Sequence, residues 1–253
     1  MMHAAFRQIR TAFPKLTMSE LFSSVQEFIT MDGSLIMPAF TYCFKKSDGG
    51  YDTFEPDISA SRVGAVSENF RTLSGVIRTS SPTHSFCLWG EIQNHIPKNN
   101  SPDSPLGKGS VLHWLAENEN TFFLLLGTDF NSLSFGHYLE ITAPVLWAGQ
   151  SCWKHLNVEN SGVSIHGEQP LIEVPGCSKS FRNFETFLLE NDIIQPAIHN
   201  QLKSYFISAV LLLEEGLPYF RRNPEQLLCP LGECRACDER WEYYLIKHKE
   251  SLL

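Results

Sequence analysis

The chain has no continuous apolar run of the length needed to span a bilayer, about 18 residues. No membrane partner is therefore expected. The N-terminus lacks the apolar region of a secretory signal, so the expected location is cytoplasmic. Basic residues are in deficit: 20 Lys and Arg stand against 28 Asp and Glu, a net charge of −8. That balance gives no electrostatic footprint for nucleic acid. A mildly acidic surface suits a cationic substrate instead. Gly-rich phosphate loops of the dinucleotide or P-loop kind are missing, which argues against a nucleotide-binding strand–helix unit. Repeats, low-complexity tracts and clear linkers are missing too. A single domain over 1–253 is expected, with 225–253 as a cysteine-containing C-terminal extension.

What is present is enough for a sizeable core. Hydrophobic residues make up 43% and charged residues 19%, an ordinary globular balance. Seven cysteines occur without a signal peptide, so a disulfide framework is not expected. Four are scattered: Cys43, Cys87, Cys152 and Cys177. Three cluster as Cys229-x4-Cys234-x2-Cys237.

The local pattern alternates strands and helices. Residues 1–9 read as a first strand or its end. Thr17 to Glu20 forms a capping box ahead of a helix over 21–29. Asp32-Gly33 marks a turn into a strand over 34–40. Residues 45–58 read as a long surface loop. Ser61 is expected to cap a helix reaching about Leu73. A short strand over 76–79, a helix over 110–118 and an apolar strand over 121–126 follow. Later, 181–190 reads as helix, 203–209 as strand, 210–222 as helix with Pro218 as a kink, and 240–247 as a last helix.

The stretch after the 121–126 strand carries the most chemistry. A Gly127-Thr128-Asp129 turn ends the strand, and Asn131 or Ser132 can cap a short helix. Ser134, His137 and Glu140 then recur every three residues on one helical face. A hydroxyl, an imidazole and a carboxylate thus reach the end of a core strand, where α/β proteins often place a site.

This segment resembles the signature of the aminoglycoside 3-N-acetyltransferase family, and further motifs match in order. They are His3-Ala-Ala-Phe-Arg7, Gly33-Ser-Leu-Ile-Met-Pro38-Ala-Phe-Thr41, Ser61-Arg62-Val-Gly64, Ser81-Pro82-Thr83-His84-Ser85 and Ser104-Pro105-Leu106-Gly107. The resemblance is close over roughly 1–145 and looser beyond. It implies a three-layer α/β/α sandwich around a central mixed sheet. It also implies a coenzyme A-dependent N-acetyltransferase that takes acetyl from acetyl-CoA to an amine of an aminoglycoside or another amino sugar. The family carries a segment before its first strand; here the chain begins almost at His3, which implies a short or missing leader. The family's usual serines are replaced by Ala4 and Ala5, so coenzyme contacts there would use backbone alone.

The residue roles follow from what amine acetylation requires. The acceptor ammonium must lose a proton, and a neutral imidazole is suited to take it. His137 is the expected base. Glu140 either orients it and stabilises the imidazolium or binds the cationic acceptor. The resemblance places the 81–85 loop beside the pantetheine arm, with Thr83 at the thioester oxygen and Ser85 on the pantetheine. His3 approaches the pantetheine, and Arg7, whose fork matches phosphate oxygens, the coenzyme phosphates. Tyr42, Tyr51, Phe54 and Trp89 are candidates to line an acceptor pocket. No covalent carrier stands out, since neither Cys43 nor Cys87 adjoins an evident base.

The cysteine cluster lies outside the family pattern. Its spacing resembles half of a structural zinc site. Cys177 is the first choice of fourth ligand to Cys229, Cys234 and Cys237, with Cys152 and His248 as alternatives. The bland reading is a set of reduced, partly buried thiols. Two other functional classes stay open at this point: a non-catalytic homologue that kept the fold, and a zinc-dependent binding module.

Overall fold

The computed structural model describes residues 1–30, 32–147 and 150–250, the last four of these by backbone alone. Along the chain, β1 (Met2–Ala4) and α1 (Phe6–Ala12) precede α2 (Met18–Ile29), β2 (Ser34–Pro38), β3 (Phe44–Lys46) and α3 (Ala65–Arg71). Next come β4 (Ile77–Arg78), β5 (Phe86–Gly90), α4 (Val111–Glu117), β6 (Phe122–Leu126) and α5 (Phe135–Thr142). The remainder forms β7 (Val158–Ser164), β8 (Gly167–Pro170), α6 (Phe181–Glu190), β9 (Ala197–His199), β10 (Leu202–Ser208), α7 (Ala209–Arg222) and α8 (Arg235–Glu250).

The central strand is β6. It runs parallel to β1 and antiparallel to β10, giving a mixed sheet in the order β1-β6-β10-β9. Edge strand β1 lies alongside β2, the edge of a second sheet ordered β2-β5-β4. Alternation along β6 explains the layers. Phe123 and Leu125 point into a core shared with α4, α5, α6 and α7. Leu124 and Leu126 point the other way, towards a core built on α1, α2 and α3. Period-two side chains with apolar partners on both faces require a helical layer on each side. The result is the expected α/β/α sandwich. A third, small sheet, β3-β7-β8, packs on the Pro82 loop, where Gly162 leaves no room for a side chain: a Cβ would stand 2.5 Å from Pro82 Cγ.

Helix starts follow the local chemistry. Thr17 and Glu20 form the reciprocal capping box at α2. Ser110 and Ser208 cap α4 and α7 through their hydroxyls. Pro218 sits inside α7, which continues to Arg222.

Several boundaries differ from the sequence reading. The first strand stops at Ala4 and a helix follows at once. Ser61 does not cap α3, which begins at Ala65 after Gly64; instead the Glu68 carboxylate reaches back to accept from Ser61 N–H at 2.7 Å. Residues 45–58 are not all surface loop. Phe54 is fully buried: its backbone bridges to Ser164 of the small sheet, and its ring lies under the Arg78 guanidinium, 5.0 Å from the ring centre. The last helix starts at Arg235, five residues earlier than expected. Leu227, Leu228, Cys229, Ala236 and Cys237 belong to the main apolar core. Among the described residues no helix is long and apolar enough to cross a membrane.

Candidate active site

Gly127 turns the chain off the end of β6. Its φ is +70°, and a Cβ there would stand 2.7 Å from Gln8 and 2.8 Å from Leu202, so the turn requires glycine. Asp129, rather than Asn131 or Ser132, supplies the cap: its carboxylate accepts from Asn131 N–H at 3.0 Å and opens a single 3-10 turn over Phe130–Ser132. Behind this turn, buried Glu185 accepts from Phe130 N–H at 3.0 Å, from Lys203 Nζ at 2.8 Å and from Tyr205 O–H at 2.6 Å. The turn is thereby fixed to α6 and β10, and it hands the chain to α5 at Ser134.

On α5 the i,i+3 spacing does join the two groups. His137 Nδ1 and Glu140 Oε2 are 3.2 Å apart, and both residues are buried. The other carboxylate oxygen, Oε1, accepts from Trp147 Nε1 at 2.7 Å and from Arg240 Nη1 at 2.5 Å. Burial alone would push the Glu140 carboxyl up. The Arg240 charge and the hydrogen bonds from His137 and Trp147 together outweigh it and hold the group down at about 2. Glu140 is therefore an ionised carboxylate engaged through both oxygens and buried behind the imidazole. The ring of His137 packs edge-on against Phe181, with centroids 5.0 Å apart.

His137 opens onto a pocket of about 220 Å³ at the carboxyl ends of β1, β2 and β6. His3 and Ala4, Pro38 and Phe40, Ser134 and Ser178 share its wall. His3 is buried and its Nε2 has no hydrogen-bond partner among the described residues, a polar atom available to a ligand. Burial and then the nearby N-terminal charge push His3 down to about 3, so its ring is neutral. A second, wider cleft of about 430 Å³ borders Gln8, Gly127, Asp129, Arg182 and Lys203. The two cavities share the 127–132 turn as a wall. Arg7 is exposed on the first turn of α1, one residue before Gln8.

Two predicted site residues stand behind the pocket rather than on its wall. Ser85 is fully buried; its hydroxyl accepts from Arg78 Nε at 2.9 Å and donates to the Ala39 carbonyl at 2.9 Å. Thr83 is fully buried as well, its hydroxyl 3.0 Å from His84 Nδ1. The loop is tied down by Arg78, which also donates to the Pro56, Ser59 and Ala39 carbonyls. Of the four aromatics expected around an acceptor, Tyr42 lines the pocket, held at φ +54° by its N–H on the Thr83 carbonyl. Tyr51 is exposed, Phe54 is buried, and Trp89 packs over Gly75. Neither Trp147 nor Arg240 stands out in the sequence, and Arg240 lies in the charged run Asp238-Glu239-Arg240-Trp241-Glu242, where nothing local marks it as buried.

The four cysteines Cys177, Cys229, Cys234 and Cys237 do meet. Their sulfurs all lie within 4.8 Å of one another, and Cys177 and Cys229 are 3.8 Å apart. No two are bonded as a disulfide. Hydrogen bonding from Cys237 draws the Cys177 thiol down to about 5 against the opposing effect of burial. Cys152 is buried elsewhere, near Arg240, and the His248 side chain lies outside the described residues.

A sheet-end pocket with a buried His–Glu pair is an arrangement suited to acid–base chemistry. The family model for aminoglycoside 3-N-acetyltransferases matches residues 1–220, and the chain belongs to that family of acyltransferases. The fold agrees. The apoenzyme structure of the aminoglycoside acetyltransferase AAC(3)-IVa superposes with a TM-score of 0.78 at 20% identity, over 96% of this chain and 89% of that one. AAC-IIIb in its binary complex with CoASH gives 0.68 at 19% identity, over 88% and 89%. In sequence, the SPbeta prophage-derived aminoglycoside N(3')-acetyltransferase-like protein YokD of Bacillus subtilis (strain 168) is 32% identical over 102 residues. That match spans 36% of this chain and 37% of YokD.

Proposed function

We propose that this acyltransferase moves acetyl from acetyl-CoA to an amine of an aminoglycoside or another amino sugar, with His137 as general base and Glu140 as its orienting partner. The observation that carries the reading is the buried His137–Glu140 pair opening through the imidazole onto a pocket shared with His3. Glu140 holds Nδ1, so the proton-accepting nitrogen is Nε2. Acetyl-CoA supplies the acyl group as a thioester. The neutral amine nitrogen bonds to the thioester carbonyl carbon, the C–S bond breaks with coenzyme A leaving as the thiolate, and the proton the nitrogen gives up passes to His137 Nε2 and from there to the departing sulfur. His3 Nε2, without a protein partner, suits a polar atom of the pantetheine arm. Arg7, exposed beside the wider cleft, suits the coenzyme phosphates.

The pocket wall contains no Asp or Glu among the described residues. That favours an acceptor presenting one amine to His137 over one gripped through several ammonium groups. The test is thiol release from acetyl-CoA with a panel running from polycationic aminoglycosides to mono-amino sugars. Turnover with some amines, lost in His137→Ala, supports the reading. A folded protein that binds coenzyme A yet acetylates no amine refutes it.

A second reading concerns the four thiols. We infer a structural zinc site of Cys177, Cys229, Cys234 and Cys237. Zn–S bonds of about 2.3 Å in a tetrahedron set sulfurs about 3.8 Å apart, the spacing of Cys177 and Cys229. Elemental analysis of protein purified without chelator tests it: about one equivalent of zinc supports the site, and a metal-free protein indifferent to chelator refutes it.

A further inference from the structure

We propose that Arg240 is a positioning residue for the acyl-transfer reaction: its guanidinium fixes the Glu140 carboxylate so that Oε2 stays on His137 Nδ1. The proposal rests on the His137 reading above and adds a residue from outside the matched family region, which ends at 220.

Three observations carry it. Arg240 Nη1 and Trp147 Nε1 both donate to Glu140 Oε1, which leaves Oε2 alone for the imidazole. The guanidinium is almost wholly buried, 4% exposed, and Glu140 is its one ion-pair partner among the described residues. A buried charge on a single partner locks that partner's geometry, because displacing either strands both. Finally, the backbone is shaped for the guanidinium. A Cβ on Gly176 would stand 2.4 Å from Arg240 Cζ and 2.5 Å from Nη1. Gly176 directly precedes Cys177, and Arg240 lies three residues after Cys237 on α8. The thiol cluster thus pins both segments that hold the arginine. The C-terminal segment reaches Glu140 directly through this side chain, and Tyr244 on the same helix packs edge-on against Trp147, the other donor to Glu140 Oε1.

The electrostatic consequence separates positioning from mere support. Arg240 opposes protonation of the Glu140 carboxylate. The other titratable groups facing the pair and its arginine are His84, Cys152 and Cys237. Each of these stays in place in the variants below. Without the guanidinium charge the Glu140 carboxyl is no longer held as far below its usual range, so the imidazole loses its anionic partner at a higher pH.

The experiment measures kcat, both KM values and the pH profile of kcat/KM for the full chain, alongside Arg240→Gln, Arg240→Lys, Gly176→Ala and His137→Ala. Arg240→Gln should lower kcat on the order of 10–100-fold, with both KM values nearly unchanged. Its acid limb should move to higher pH, and Arg240→Lys should recover part of both effects. Gly176→Ala should act in the same direction by displacing the guanidinium, and should add nothing in an Arg240→Gln background. A folded Arg240→Gln protein with the parent's kcat and acid limb overturns the proposal. If that variant does not fold, Gly176→Ala with the parent's kcat and pH profile overturns it. Full turnover in His137→Ala sinks the underlying reading instead.

Discussion

Replacing Glu140 by Gln should do more than remove a charge. Glu140 Oε1 accepts two hydrogen bonds, from Trp147 Nε1 and Arg240 Nη1, neither of which can accept in return. The amide oxygen of a glutamine must therefore take that place. Its NH2 then faces His137 Nδ1, now 3.2 Å from a carboxylate oxygen. An NH2 group donates, so Nδ1 becomes an acceptor and the ring proton moves to Nε2. The nitrogen offered to the acceptor amine would already carry a proton. An imidazole held in the wrong tautomer costs about 10⁴-fold in kcat in a triad of this logic. Loss of orientation alone would cost no more than the base itself contributes, about 10²–10⁴-fold. The same change leaves Arg240 buried without its counter-charge, at a cost of about 3–5 kcal/mol. Unfolding entropy near 0.5 kcal/mol per kelvin for 253 residues turns that into a fall of about 6–9 °C in Tm. The assay is single-turnover acetylation well below that Tm, with coenzyme A binding as the control for folding. A Glu140→Gln enzyme within tenfold of the parent kcat would refute the tautomer argument and, with it, the role of Glu140.

Three further outcomes are expected. Acid should destabilise the protein from about pH 6.5 downward. His3 and His84 are held neutral by burial at about 3, so below pH 6.5 the unfolded chain takes up protons that the folded one refuses. Each contributes a slope of up to about 1.4 kcal/mol per pH unit. Glu140 adds the same sign between about 4.5 and 2, and urea unfolding free energies that stay level from pH 7 to 4.5 would contradict the burial of both histidines. Gly136→Ala should cost about 1–3 kcal/mol and lower kcat: its Cβ would stand 2.5 Å from the Phe181 ring that packs on His137, and a variant with unchanged Tm and kcat would show that the ring moves freely. Cys234→Ser should lose the bound zinc and unfold at lower temperature, with chelator reproducing the shift in the parent but not in the variant; equal zinc content in both proteins would remove Cys234 from the ligand set.

Local rules made part of the fold readable. The Thr17–Glu20 box, the helix expected over 110–118 and the apolar run of β6 each depend on a few neighbouring residues, and each stands close to where the pattern puts it. Ser61 misled because a serine ahead of an apolar-periodic stretch looks like a cap. Glu68 instead folds back on Ser61 N–H, and Gly64, at φ +117°, starts the helix. Phe54 misled for a different reason. Its loop is polar on both sides, and what buries it is distant in sequence: a bridge to Ser164, more than a hundred residues away, and the Arg78 guanidinium over its ring.

The candidate site divides along the same line. His137 and Glu140 lie one helical turn apart, so their meeting follows from spacing once the helix is granted. What makes Glu140 a buried anion comes from 7 and 100 residues further on, through Trp147 and Arg240, and no local pattern reports such pairs. The role of Glu140 turns on those two partners. From sequence, the carboxylate could orient the base or hold a cationic acceptor. With Oε1 on the indole and the guanidinium and Oε2 on the imidazole, the carboxylate is engaged through both oxygens and buried behind the ring. An acceptor ammonium must find its acceptors elsewhere on the pocket wall, where hydroxyls, carbonyls and Tyr42 are available but carboxylates are not. On the proposed reading, the arginine that fixes the base also engages Glu140, so this carboxylate orients the imidazole and is not offered to the acceptor.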